Sequence, residues 1–415
     1  MNDRERRGWI TVGAIFATFF FIWGAINSSS VFFVPVIKYF GWTRARMSIA
    51  LSIGWVTGGA AGPVIGWLSD RIDPKKMMVV GATVTGLAWL ALSRSTGFGE
   101  YLAINGLFGI SVSAATSIPA SIIIAKWFQA RRGLAIGIAF SGGTIGGAVI
   151  AVLANRAIEY GGWRFGYAMI GMPILLIVVP AIVFFVRGRA PEHAAAAAHD
   201  DPAYPVTSIE IPGLEIAQAR RTRSFWLICA AQLLFGFSTG MGPHFIAYLI
   251  GSGYSAGFAA SAISLFLIVT TAGTVLGGPI ADRFSARAAI TVTFLMTSIG
   301  MIGLLLAAHP IALALNILCG GFAAGAMGVQ MPLVQIESLG IKRLGSILGI
   351  TGIFFTAGAA ISPVITGRIF DLTHSYSFAI SSFVAMAIAC ALAIYGCRPL
   401  DREQQALGMT AADAA

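Results

Sequence analysis

The sequence predicts an all-α membrane protein of twelve spanning helices built as two six-helix repeats, and three observations predict it. Hydrophobic residues make up 57% of the 415-residue chain and charged residues only 11%, against about 25% charged residues in a soluble domain. Twelve stretches approach the roughly 20 apolar residues that a bilayer crossing requires. Shifting the chain by 212 positions superposes the loop residues of one half on those of the other, Asp70 on Asp282 and Arg71 on Arg283.

The stretches run roughly over 9–36, 48–68, 77–92, 101–125, 134–153 and 165–186, then 226–250, 258–280, 288–307, 311–335, 344–366 and 376–395. The predicted organisation is an N-terminal half over 1–186, a linker over 187–222, a C-terminal half over 223–396 and a tail over 397–415. The linker holds an alanine run, Ala194 to Ala198, and ends in the basic cluster Arg220, Arg221, Arg223, which reads as an interfacial anchor. Residues 1–7 are too polar for the apolar part of a secretion signal, so the first stretch is expected to stay as a span.

The net charge is +10. In a soluble protein that excess would suggest nucleic acid. Here the charges sit in short gaps between apolar runs, which is a topology pattern. With the N-terminus inside, twenty of the 27 basic residues fall on the inner side, while Lys38, Arg44, Arg46, Arg94, Arg156, Arg164 and Arg368 fall outside. Both termini are therefore expected in the cytoplasm. No Lys or Arg lies inside a span, and Glu337 is the one acidic residue close to a helix end. Cys229, Cys319, Cys390 and Cys397 show no ligand spacing, so neither disulfides nor a metal site is expected. No nucleotide loop, histidine cluster or nucleophile with a neighbouring base occurs, so neither enzyme activity nor a cofactor is expected.

The repeat continues beyond the loops. Gly41 falls on Gly253, Gly66 on Gly278, Gly133 on Gly345, Gly146 on Gly358, Arg156 on Arg368 and Glu159 on Asp371. Charged loop residues that keep one register are hard to ascribe to glycine content alone.

The paired loops, Gly66-Trp-Leu-Ser-Asp70-Arg71-Ile-Asp-Pro-Lys75-Lys76 and Gly278-Pro-Ile-Ala-Asp282-Arg283-Phe-Ser-Ala-Arg287, resemble the G-x-L-x-D-R-x-G-x-K/R signature of the major facilitator superfamily. Asp73 replaces the second glycine in the first copy. The segments Lys126-Trp-Phe-Gln-Ala-Arg131-Arg132 through Gly142, Gly41 to Arg46 and Arg221 to Trp226 look like those of monocarboxylate transporters and oxalate/formate antiporters. Two departures stand against that branch. The acidic opening of helix 1 is replaced by Arg4 to Trp9, and Thr274 sits where the branch carries a carboxylate-binding arginine. The resemblance implies a secondary transporter with a cavity between helices 1, 4, 7 and 10.

Gating is expected of Asp70, Arg71, Arg132, Asp282, Arg283 and Arg343. Asp70 would latch the start of helix 11 and Asp282 that of helix 5, since a helix N-terminus favours an anion; the bland alternative is two solvated acids. For the cavity, polar residues inside spans are the candidates: Trp23 and Asn27 on helix 1, Ser117 on helix 4 with Pro119 as a bend, Thr239 and His244 on helix 7, Thr274 on helix 8, Gln330 on helix 10. His244 reads either as a proton or carboxylate contact or as a neutral ring tying helices. Asn27 and Gln330 read as ligand donors or as interhelical glue, and Trp23 as a wall or as packing. Gly142-Gly143-Thr144-Ile145-Gly146-Gly147 resembles an element of drug/proton antiporters but reads first as helix packing.

The expected function is alternating-access transport of small organic acids such as monocarboxylates, coupled to protons, in an inner membrane. A carrier or exporter of a neutral or aromatic compound, and a membrane sensor without turnover, remain open alternatives. The expected partners are a small-molecule substrate, protons and the lipid bilayer, with the chain acting as a monomer.

Overall fold

The computed structural model describes residues 3–128, 131–188 and 212–409. Among them the chain is almost entirely helical, with one isolated bridge between Gly213 and Gly340. Most of the expected linker, 189–211, and with it the alanine run, lies outside the described residues.

Among the described residues, eleven helical runs are long and apolar enough to cross a membrane. One of them, Arg132–Phe185, has 54 residues and turns at Gly162 (φ 76°, ψ 176°), a positive φ that glycine adopts without a Cβ penalty. It therefore holds two spans, which gives the predicted twelve. Span 1 is Asp3–Asn27 continued by Ser30–Phe40, span 2 Arg44–Arg71, span 3 Pro74–Ser93 and span 4 Phe98–Ala115 continued by Ser117–Trp127. Span 5 runs from Arg132 to the Gly162 turn, and span 6 from there through the π turn Ile174–Val178 to Phe185. Span 7 is Arg223–Ser238, a 3-10 turn Thr239–His244 and Phe245–Gly251; span 8 is Ala256–Phe284 and span 9 Ala286–Leu305. Span 10 is Pro310–Leu315, a π turn Asn316–Gly320 and Gly321–Leu339; span 11 is Leu344–Thr373 and span 12 Ser377–Tyr395.

The chain divides into two compact units: unit 1 reaches to Glu215 and includes Gly340–Gly349, and unit 2 holds Ile216–Leu339 and Ile350–Gly408. The first residues of span 11 thus cluster with unit 1. In unit 1 the core carries an aromatic group in which Phe32 stacks on Tyr167 at 4.2 Å and the Tyr101 and Tyr167 hydroxyls meet at 2.6 Å. In unit 2 Met241, Phe245, Leu249, Ile380 and Phe383 pack together.

The 212-residue repeat extends to how helices touch. A Cβ on Gly24 would meet the Gly146 backbone, and one on Gly358 would meet Gly236, the same pair one repeat later. Without side chains there, spans 1 and 5, and again 7 and 11, bring their backbones together, which is how helices associate where no hydrophobic drive exists. The breaks repeat as well. Span 1 is interrupted between Asn27 and Ser30, and span 7 leaves the α-helix at Thr239, the repeat position of Asn27. Span 4 breaks at Thr116 (φ −122°, ψ −110°), three residues before Pro119 rather than at it. Proline has no N–H to return to the carbonyl four residues earlier, so the Ala115 carbonyl loses its helical donor and the distortion falls upstream.

Candidate functional site: the loop latch and the helix breaks

The first signature loop is ordered by its own residues. Asp73, in the place of the second glycine, caps span 3: its Oδ1 accepts the Lys75 N–H at 3.0 Å, with Pro74 at the first helical position. An Asp-Pro pair suits a helix start because Asp accepts from the exposed N–H groups and Pro needs none. The Arg71 guanidinium lies over the Trp67 ring at 4.1 Å. Arg132 closes the end of span 4, donating through Nε to the Phe128 carbonyl at 2.9 Å and through Nη2 to that of Ala125 at 3.1 Å. In unit 2, Arg283 lies 5.7 Å over the Phe284 ring. There Ser285 caps span 9 by accepting the Ala288 N–H, and Glu337 accepts the Arg287 N–H at 3.2 Å.

Asp70 has the most developed geometry. Its Oδ1 accepts the Gly345 N–H at 2.8 Å, and its Oδ2 accepts the Ser346 N–H at 2.8 Å and the Ser346 hydroxyl at 2.6 Å. A carboxylate thus takes three donors from the first turn of span 11, where unsatisfied N–H groups and the helix dipole both favour an anion. The approach needs glycine. A Cβ on Gly66 would overlap the Gly345 carbonyl, and one on Gly349 that of Gly62. Next to this contact, Glu215 Oε2 accepts Arg343 Nε at 2.7 Å and Glu215 Oε1 lies 3.7 Å from Lys342 Nζ. The Arg343 bond holds the Glu215 carboxyl below its ordinary range, and the same bond raises Arg343.

The expected cavity residues fall into two kinds. On unit 1, Trp23 is half-buried and Asn27 exposed, one turn apart on span 1. Trp23 faces Trp55 at 6.0 Å between ring centres, and its Nε1 is buried without a partner among the described residues. Trp55 is 57% exposed and lies two turns before Gly62 on the same face of span 2. Asn27 donates to the Gly143 carbonyl at 3.2 Å. The Gly142–Gly147 stretch packs on span 1: a Cβ at Gly143 would press on Trp23 and one at Gly147 on Asn27, so the stretch seats both side chains. Ser117 is half-buried directly after the span 4 break.

On unit 2 the candidates are occupied by their own bundle. Gln330, 1% exposed, donates to the Gly277 carbonyl at 3.1 Å and accepts Thr293 at 2.8 Å, joining spans 8, 9 and 10. Thr274 is buried, with its hydroxyl on the Thr270 carbonyl at 3.0 Å. Thr239 is exposed and bonds back to Gly236. His244 lies at the end of the 3-10 turn, seven residues from the end of span 7, with Nε2 3.2 Å from the Pro363 carbonyl and Nδ1 3.2 Å from the Tyr376 hydroxyl. A carbonyl only accepts, so Nε2 carries a proton in this arrangement and Nδ1 faces a hydroxyl able to play either part.

These loops, breaks and repeats agree with comparison to known proteins. The family model described as Major Facilitator Superfamily matches residues 14–363 and 249–408. The chain belongs to the major facilitator superfamily. It is a multi-pass membrane transport protein and not an enzyme. Among its relatives, monocarboxylate transporter 13 of Bos taurus is 27% identical over 385 residues, covering 91% of this chain and 85% of the relative. Monocarboxylate transporter 12 of Homo sapiens is 26% identical, with coverages of 90% and 77%. An uncharacterized MFS-type transporter, YcxA, of Bacillus subtilis is 25% identical, with coverages of 84% and 85%. A solved proton:xylose symporter superposes with a TM-score of 0.72 at 16% identity, covering 97% of this transporter and 99% of that chain.

The sequence reading missed Trp55, Ser346, Tyr376 and Glu215. Trp55 had one usable signal, its helical spacing from Gly62 in the signature loop's own span. The other three lie in segments whose partners are far away in sequence, and no spacing rule reaches them.

Proposed function

We propose that this transporter carries small organic acids such as monocarboxylates by alternating access, each acid crossing with a proton. Named monocarboxylate transporters align with it along nearly its whole length, which supports the substrate class. The observation that carries the coupling is the neutrality of the candidate site: Trp23, Asn27, Ser117, Thr239, Thr274 and Gln330 hold no charge, and no Lys or Arg stands in mid-span. An anion would then cross a low-dielectric site without a fixed counter-charge, a costly arrangement. Entry as the neutral acid, or with a proton taken up at His244, removes that cost.

Asp70 is assigned the inner gate, holding the start of span 11 while the gate is shut; Arg71, Arg132 and Arg343 shape the loops around it. By the repeat, Asp282 with Arg283 plays the same part for span 5. The excess of basic residues in alternate loops supports an inner-membrane placement with both termini in the cytoplasm.

The test is L-lactate uptake into proteoliposomes with and without an imposed proton gradient. Uptake that ignores the gradient removes proton coupling, and His244→Gln that transports without gradient dependence assigns the proton to that ring. A second reading, a carrier of neutral or aromatic compounds, is favoured by the exposed Trp55 beside Trp23. Competition of substrate binding by indole but not by lactate, formate or oxalate would select it.

A further inference from the structure

We infer that Glu215 is a positioning residue of the gate, setting the first turn of span 11 against Asp70 through Arg343. The inference rests on the gate reading of Asp70 and adds to it the residue that holds Asp70's partner in place.

Residues 212–215 lie alongside the segment that leads into span 11. Gly213 and Gly340 pair as an antiparallel bridge, and the Ile341 N–H donates to the Pro212 carbonyl at 2.9 Å. Leu214 is fully buried. Gly340 has φ +80°, and a Cβ there would overlap the Gly213 backbone, so the strap fits only a bare chain at that point. Beyond this backbone pairing comes the ionic clamp, Glu215 to Arg343 at 2.7 Å with Lys342 at 3.7 Å. The Arg343 carbonyl accepts the Ile347 N–H at 3.0 Å, so Arg343 occupies the N-cap position of span 11. The N–H groups of the second and third helical residues, Gly345 and Ser346, are the ones Asp70 holds.

Each link is local and directional. Glu215 fixes the N-cap residue, the N-cap residue fixes where the first-turn N–H groups point, and those groups meet the carboxylate of Asp70. A charge-assisted bond as short as this constrains the arginine more firmly than a neutral one. The competing reading is an exposed ion pair that merely tethers the linker and leaves span 11 where Asp70 alone would put it.

Hydrogen–deuterium exchange of the full chain in lipid nanodiscs separates the two, read at the Gly345 and Ser346 amides and at a control peptide in span 9. Glu215→Gln should raise exchange at the two amides about 2- to 5-fold, the range expected for a partly exposed ion pair, with the control peptide and melting temperature unchanged. Glu215→Asp should restore part of the protection, and Glu215→Arg with Arg343→Glu should restore most of it. In an Asp70→Asn background, Glu215→Gln should add nothing, because the contact it positions is gone. If Asp70→Asn raises exchange but Glu215→Gln and the charge swap leave it at wild type, the inference falls and the gate reading stands. If Asp70→Asn leaves the two amides protected, the gate reading falls and the inference with it.

Discussion

The two units share a repeat and differ in what they do with polar side chains. In unit 1, Trp23 and Asn27 sit half-buried and exposed on the glycine stretch of span 5, Asn27 with one bond to the Gly143 carbonyl, and Trp55 stays exposed beside Trp23. In unit 2 Gln330, Thr274 and His244 bond to carbonyls or side chains of their own bundle. A polar residue in an apolar span therefore has two meanings, and composition does not separate them. It either waits for a ligand or water, or it replaces the water that its helix neighbours lack. On the proposed transport reading, recognition would fall mainly to unit 1 and rigidity mainly to unit 2, and the two assignments make opposite predictions for substitution.

The largest effects should fall where the units are alike. Gly146→Leu and Gly358→Leu each force a side chain into a facing backbone, and overpacking costs about 1–3 kcal/mol or more. Both should lower the melting temperature and the yield of folded protein by similar amounts. A large loss at one and none at the other would show that the repeat in sequence is not a repeat in packing.

The next test breaks the likeness on purpose. Gln330→Leu removes the bonds that join the Gly277 carbonyl and the Thr293 hydroxyl to span 10, the hydroxyl keeping the Ala289 carbonyl, a cost on the order of 1 kcal/mol; thermal stability should drop and the apparent KM for uptake should hold. Asn27→Leu and Trp55→Ala should do the reverse, raising the apparent KM about 3- to 10-fold, roughly one hydrogen bond or ring contact, at nearly constant stability. A stability loss at Asn27 matching that at Gln330 would erase the distinction between the units.

How much of this was legible in the sequence follows the same division. The twelve spans, the repeat and the signature loops rest on periodic or local patterns, and the structure has them, including a span boundary at Gly162, where the backbone leaves helical geometry. Asp70 was legible as an acid near a helix start, since dipole and loop position are local facts. The partners of Gln330 and His244 were not: Thr293 and Tyr376 reach them only after helices pack. Pro119 signalled a break in span 4 but not its position, because the carbonyl that proline orphans lies one turn earlier.

The smallest predicted effect concerns the loop beside Asp70, and it tests whether unit 1 also holds a pH-dependent contact. Arg343 keeps the Glu215 carboxyl below its ordinary range, so the carboxylate is favoured in the folded chain. A group depressed in this way adds stability above its unfolded value and loses it as pH falls through its folded one. The clamp should therefore be unchanged from neutral pH down to about pH 5 and weaken only at lower pH, in the carboxylate range. Lys342 and Arg343 face Glu215 across the clamp and Asp70 adds its charge to Arg343; the basic partners stay protonated throughout. Glu215 and Arg343 are more than a third exposed, so solvent screening keeps the contribution under about 1 kcal/mol. Exchange at Gly345 and Ser346, measured at pH 7, 5.5 and 4 and corrected for intrinsic rates, should rise only at the last pH in the wild type and stay flat in Glu215→Gln. A rise already at pH 5.5 would point to a different titrating group, and a wild-type rise that persists in Glu215→Gln would shift it to Asp70 itself.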